Sequence, residues 1–438
     1  MINTEPETAK DHVFAQHRNV IANRDAAEKT RAGLPDAAFL KQSQGDRTAG
    51  LSYTGRSMPF SPSRRRTHTA SHRLLPTALR ALVLGAGLLA ATQPTAHAAE
   101  PRLVIEDNDF LGPGGSDQQS IIPLLFNPAV KVLGFTVATG DGWENQESAH
   151  LRRFLEIIGR TDVPVADGAV YPLINSVPRM RMREKQFGTI PWKGAWGALG
   201  SMDKVPSEQP PLPAMKDGAP SLKPTAESAA LFLIRQVHAH PHQVTIVEAG
   251  PMTNLALAIR IDPTFAATAK ELIFMGGLLD TSMRALTGNV DFASDFNMIF
   301  DPEAAHITLT APWPSITVVG NVSNDLMMTR DYLKRIQQKR TPMTDYIGTY
   351  YDPLPMWDEM ATAIAADPTL ISTSLDAYMD IDIANGPHYG HVVVWPDATA
   401  PKETGIRKVR IVQSINAQRF LDTFLREAQS DVHPAAHP

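Results

Sequence analysis

Short apolar runs recur along the chain from about residue 100, and most end in an acid, a glycine or a proline before a stretch with helical spacing begins. Leu103, Val104 and Ile105 form the first run, and apolar, largely β-branched residues without polar interruption suit a strand covered on both faces. The run 132–137 reads as a second strand and VPVADGAVYPL as a short third; VTIVEAG, ELIFMGGLL, SITVVGNV, HVVVWP and RKVRIVQSIN read as later ones. Between them, SAHLRRFLEIIGR puts Leu151, Phe154, Leu155 and Ile158 on one helical face, with Gly159 suited to the C-terminal cap. Further helices are expected over 226–237, from Asn254 in GPMTNLALAIRIDP, from Pro302 and Glu303, in LMMTRDYLKRIQQ, after Asp352 with Trp357 and Met360 facing inward, and in AQRFLDTFLREAQ. Alternation of this kind predicts an α/β fold: an open, mostly parallel central sheet with helices on both faces, a Rossmann-like core.

Two stretches break the pattern. Over 174–224, proline, glycine, methionine and charge replace periodicity, and a loop this long in a compact domain is functional or mobile. Trp192 and Trp196 lie there, placed either to close over a ligand or to pack within a surface insertion. Residues 1–98 are polar and alanine-rich and predict no packed domain. Their last part carries Arg64, Arg65 and Arg66, an apolar segment over 78–92, and the small residues around Ala96-His97-Ala98, which together read as a secretory signal cleaved after Ala98. That segment is shorter than the roughly 20 residues of a spanning helix. The expected product is periplasmic or secreted, with no stable membrane anchor after cleavage, exported by the general or the twin-arginine route. Met58 opens a segment of ordinary signal-peptide length and is the expected translational start. The expected organisation is a leader over 1–98 and one catalytic domain over 99–438 with an insertion at 174–224.

Composition narrows the function. A hydrophobic content of 43% over 438 residues is ample for a large core, and a net charge of −5 argues against a nucleic acid polymer as partner. The chain contains no cysteine, which removes disulfides, thiolate metal sites and cysteine nucleophiles together.

Candidate chemistry concentrates in LVIEDNDFLGPGGSDQQS. Asp107 and Asp109 stand at the carboxyl end of the first strand, where open α/β sheets bind ligands. Gly112, Gly114 and Gly115 permit a tight turn, and Ser116 or Asp117 can cap the following helix. Carboxylates converging from a strand end and a helix start suit Ca²⁺ or Mg²⁺ rather than a thiophilic metal. On its own a D-x-D of this kind is equally a solvated turn beside an N-cap.

With DNDFLGPGGSD taken together with LGFTVATGD, DVPVADGAVYPL, VEAGPMTNLALAI, LIFMGG, GNVDFASDFN, DPEAA and YDPLPMWDE, in that order, the chain resembles the inosine-uridine-preferring nucleoside hydrolases, especially a divergent branch found among fungi and bacteria. The resemblance implies Ca²⁺-dependent hydrolysis of the N-glycosidic bond of a small-molecule nucleoside, in a homodimer or homotetramer. It implies that Asp109 holds the metal and takes a proton from water, that Asp352 is a distant metal ligand, and that Ala249 lends its main-chain carbonyl. Asn289, Asp295 and Asn297 match the ribose-binding loop, and Asp107 a supporting acid.

The sequence also departs from that pattern. Where the family has two adjacent aspartates, this chain has Ser116-Asp117. One register puts Asp117 on the metal and Ser116 on ribose; a shift of one reverses those roles and leaves Gln118 on the metal. The first is preferred, because losing a metal carboxylate is more damaging than exchanging a ribose contact. Asp295 stands where glutamate is usual. Asp141 stands where asparagine is common, either contacting ribose or water or merely closing a turn. Tyr351 stands where some members carry a histidine that assists the leaving base, and a phenol with a reference pKa of about 10 is a poor proton shuttle near neutrality. His388 and His391 are further candidates for that role. Two other readings accompany the hydrolase: a catalytically weakened riboside-binding protein, and a hydrolase of another N-riboside whose pocket the insertion reshapes.

Overall fold

The computed structural model describes residues 100–431 apart from 191, 198–201 and 278–294, so the leader and Asn289 lie outside the described residues. A nine-stranded sheet runs in the order β3-β2-β1-β4-β5-β6-β9-β7-β8. Its strands are β1 Arg102–Asn108, β2 Val130–Val137, β3 Val165–Asp167, β4 Val244–Glu248, β5 Glu271–Met275, β6 Ile316–Val319, β7 Ile371–Ile381, β8 Val392–Trp395 and β9 Arg407–Ile415. Neighbours pair in parallel from β3 through to β9, while β7 is antiparallel to both β9 and β8. The expected α/β architecture is what the structure shows.

Side-chain alternation builds one core on each face of the sheet. Val104, Val247, Ile273 and Val319 join a layer with Phe154, Met360, Phe420 and Phe424, from the helices Glu144–Ile157, Trp357–Ala366 and Ala417–Ala428. The adjacent residues Ile105, Ile246, Leu272 and Val318 point the other way, into a layer with Phe232, Leu255 and Leu309 from Ala229–Ala239, Thr253–Ile261 and Pro302–Thr310. Both faces are therefore apolar, and the central strands read as continuous hydrophobic runs. Among the described residues, no helix is long and apolar enough to cross a membrane.

Several details differ from the sequence expectation. The insertion is not irregular throughout: Val177–Phe187 is a helix, capped by Ser176, whose hydroxyl accepts from the Arg179 N–H at 3.4 Å, with Pro178 in its first turn. Its sequence VPRMRMREKQF has helix formers but no wide apolar stripe. Ser116 and Asp117 lie inside the first turn of Ser116–Gln119, whose N-cap is Gly115, so neither caps it. The strand β7 and the helix Pro342–Tyr350 were not expected; ISTSLDAYMDI hides a half-exposed strand among polar residues.

Candidate active site

Strand order reverses at β1. The chain lays β2 and β3 to one side of it and then crosses to place β4 on the other, which leaves a crevice beyond the carboxyl ends of these strands. Asp109 sits there, one residue past β1 and 3% exposed. Two glycines make room for it. A Cβ on Gly140, after β2, would lie 2.0 Å from Asp109 Oδ2, and one on Gly250, after β4, would lie 2.9 Å from Oδ1. The Asp141 N–H donates to Asp109 Oδ2 at 2.7 Å.

Burial pushes the Asp109 carboxyl well above the usual range, and the negative charges of Asp117, Asp141, Glu147 and Asp358 push the same way. Asp358 is raised in the same manner by burial, then by Asp117, Glu359 and Glu106. Glu106 and Glu359, both wholly buried, are each raised to about 8, again chiefly by burial. Acids from four separate segments thus crowd one another, an arrangement that costs free energy unless they are protonated or face a cation.

Asp358, not Asp352, is the distant acid of this cluster. It opens the helix Trp357–Ala366, where an acid in the first turn also suits the helix dipole, and it accepts from the Asn108 amide at 3.3 Å. Asp352 is half-buried in the preceding loop and is not among the leading charges that act on Asp109 or Asp358. The residue before the distant acid is therefore Trp357, whose indole N–H donates to Asn324 at 2.8 Å. In the sequence, PMWDEMATAIAADP carries an acid pair at the head of an apolar helix, six residues after Asp352.

Ser116 turns inward. Its hydroxyl donates to Glu359 at 2.5 Å and accepts from the Asp358 N–H at 3.0 Å, which buttresses the helix start. Asp117 is half-buried and bears on Asp109, Glu147 and Asp358. Asp107 supports from below, accepting from the Asn254 amide at 2.8 Å.

Across the crevice, Asp295 caps the helix Phe296–Phe300 by accepting from the Asn297 N–H at 2.9 Å, and burial raises its carboxyl to about 7. The Asn297 amide donates to the Ala249 carbonyl at 2.7 Å, which brings two expected site residues into contact. The leaving-group candidates fare differently. Tyr351 is buried with its hydroxyl donating to Glu359 at 3.1 Å, and its phenol is pushed well above the ordinary value. His388 and His391 pack edge to face with ring centroids 5.0 Å apart, in the turn between β7 and β8.

Among the described residues no three His, Asp or Glu side chains stand in a ready-made metal-ligand arrangement. The donor set nevertheless fits a hard dication. Asp109, Asp117 and Asp358 offer carboxylate oxygens from three segments, Ala249 adds a carbonyl nearby, and their mutual repulsion is what a bound cation removes.

The family model for inosine-uridine preferring nucleoside hydrolases matches residues 104–422. The chain belongs to that family. It is accordingly an N-glycosidase, and its family's reaction is hydrolysis of the ribonucleoside N-glycosidic bond. An uncharacterised protein of Schizosaccharomyces pombe is 32% identical over 77% of this chain and 88% of its own length. The inosine-uridine preferring nucleoside hydrolase of Leishmania major is 27% identical over 67% of this chain and 88% of its own. Among solved structures, a plant nucleoside hydrolase superposes with a TM-score of 0.59 at 23% identity, covering 75% of this chain and 99% of that one, which bears on the fold alone.

Proposed function

We propose that the chain is a Ca²⁺-dependent ribonucleoside hydrolase in which Asp109 activates the attacking water. The observation that carries this reading is the convergence of Asp109, Asp117 and Asp358 at the carboxyl end of β1, where the charge of Asp117 raises the proton affinity of both Asp109 and Asp358. Asp109, Asp117 and Asp358, with the Ala249 carbonyl, would hold the ion. Calcium bound there supplies positive charge that lowers the pKa of a nearby water and orients a ribose diol. Asp109 takes the proton from that water; the backbone N–H of Asp141 fixes which oxygen faces it. Asp141, beside Asp109, and Asp295 and Asn297, at the start of the helix Phe296–Phe300, orient the sugar, while attack falls on an anomeric carbon of oxocarbenium character.

A second reading, a binder of ribosides with weakened chemistry, draws support from Tyr351 and Trp357, whose polar hydrogens are both directed to protein acceptors. Export as a periplasmic or secreted homo-oligomer is part of the proposal and rests on the leader's sequence pattern and the resemblance. The test is reducing-sugar release by the full chain from purine, pyrimidine and nicotinamide ribosides, with Ca²⁺ or with chelator. Calcium-dependent release is expected. Calcium-dependent riboside binding by calorimetry without release would favour the binder.

A further inference from the structure

The insertion returns to the crevice through residues 192–195. The Trp192 indole N–H donates to the Asp141 carboxylate, and the Ala195 N–H donates to the Gly140 carbonyl at 2.8 Å. Gly194, at φ +56°, presses so closely that a Cβ there would lie 2.0 Å from the Gly140 carbonyl oxygen. The clamped turn is the one that touches Asp109, through the Asp141 N–H at 2.7 Å and through Gly140.

The other side of the segment is anchored. Lys193 is buried and pairs with Glu184 at 3.0 Å, and it donates to the Ile190 carbonyl at 3.1 Å. Trp196 packs on Phe300 with ring centroids 4.5 Å apart. The Trp192 ring lies against Phe296, 6.4 Å between centroids, beside Asp295 and Asn297. A rigidly held segment therefore spans the two lips of the crevice.

We propose that Trp192 is a positioning residue for Asp109: its indole N–H holds Asp141, and the 140–142 turn so fixed aims the Asp109 carboxylate. This rests on Asp109 being the acid that activates water. Because the ring also faces Phe296, removing only the N–H separates positioning from any wall the ring presents to substrate.

The experiment compares the full chain with Trp192→Phe and with 3-benzothienylalanine at position 192, which keeps the shape of indole and lacks the N–H. Uridine and inosine kinetics, calorimetric affinity for Ca²⁺ alone and the thermal midpoint are measured for each. Small misplacements of catalytic groups are costly, so kcat is expected to fall about tenfold with KM within about twofold. Calcium affinity, which reads Asp109 without turnover, is expected to fall about fivefold, as supporting contacts of metal ligands typically tune affinity. Leu212→Ser, at an exposed position of the same insertion, leaves both unchanged. A rise in KM with kcat unchanged would make Trp192 a substrate wall and overturn the inference, as would wild-type kcat and calcium affinity in both variants. If the unaltered chain neither binds calcium nor releases sugar, the proposed function fails first and this inference falls with it.

Discussion

The side-chain amide of Asn108 lies 3.3 Å from a carboxylate oxygen of Asp358, tying the end of the first strand to the start of a helix 250 residues later. That contact places Asp358 among the acids and leaves Asp352 outside them. Asp358→Asn is therefore expected to lower kcat/KM about a hundredfold or more and to weaken calcium binding, whereas Asp352→Asn stays within about threefold of the unaltered chain. Paired kinetics on the two variants decide it; the opposite ranking would return the role to Asp352.

Acid crowding makes the stability of the metal-free protein depend on pH. Glu106 and Glu359 carry folded pKa values of about 8, against an ordinary 4.5. Because the folded state raises these values, their contribution to stability is full below about pH 4.5 and is lost as pH rises through about 8. The chelated protein should show a lower thermal midpoint at pH 8 than at pH 5, and added calcium should narrow that gap. A midpoint that rises over this interval in chelator would count against an uncompensated acid cluster.

The architecture was legible in the sequence because its strands are buried on both faces and their apolar runs need no partner to be read. Asp107, Asp109 and Asp141 are legible as acids just past such runs, whereas Ala249, Asp295 and Asn297 are named as site residues only through the resemblance. Asp358 could not be placed, since two acids six residues apart, Asp352 and Asp358, both precede or open a helix, and only the contact with Asn108 separates them. The inward turn of Ser116 and the clamp by Trp192 depend on contacts between distant segments, which no local pattern encodes.

Tyr351 gives a further prediction. With its hydroxyl held by Glu359 and its ring buried, it supports the start of the helix Trp357–Ala366. Tyr351→Phe is expected to keep turnover within about threefold while lowering stability by about 1 kcal/mol, the usual scale for one buried hydrogen bond. Steady-state kinetics beside chemical denaturation check both; a hundredfold loss of kcat at unchanged stability would assign the phenol to the reaction.

The most direct measurement is turnover of uridine and inosine by the full chain carrying Asp109→Ala, at saturating calcium, beside the unaltered chain. Loss of about a thousandfold or more in kcat is expected, the scale seen when a group central to the chemistry is removed. Retention of kcat within about tenfold would contradict the assignment of Asp109 as the residue that activates water.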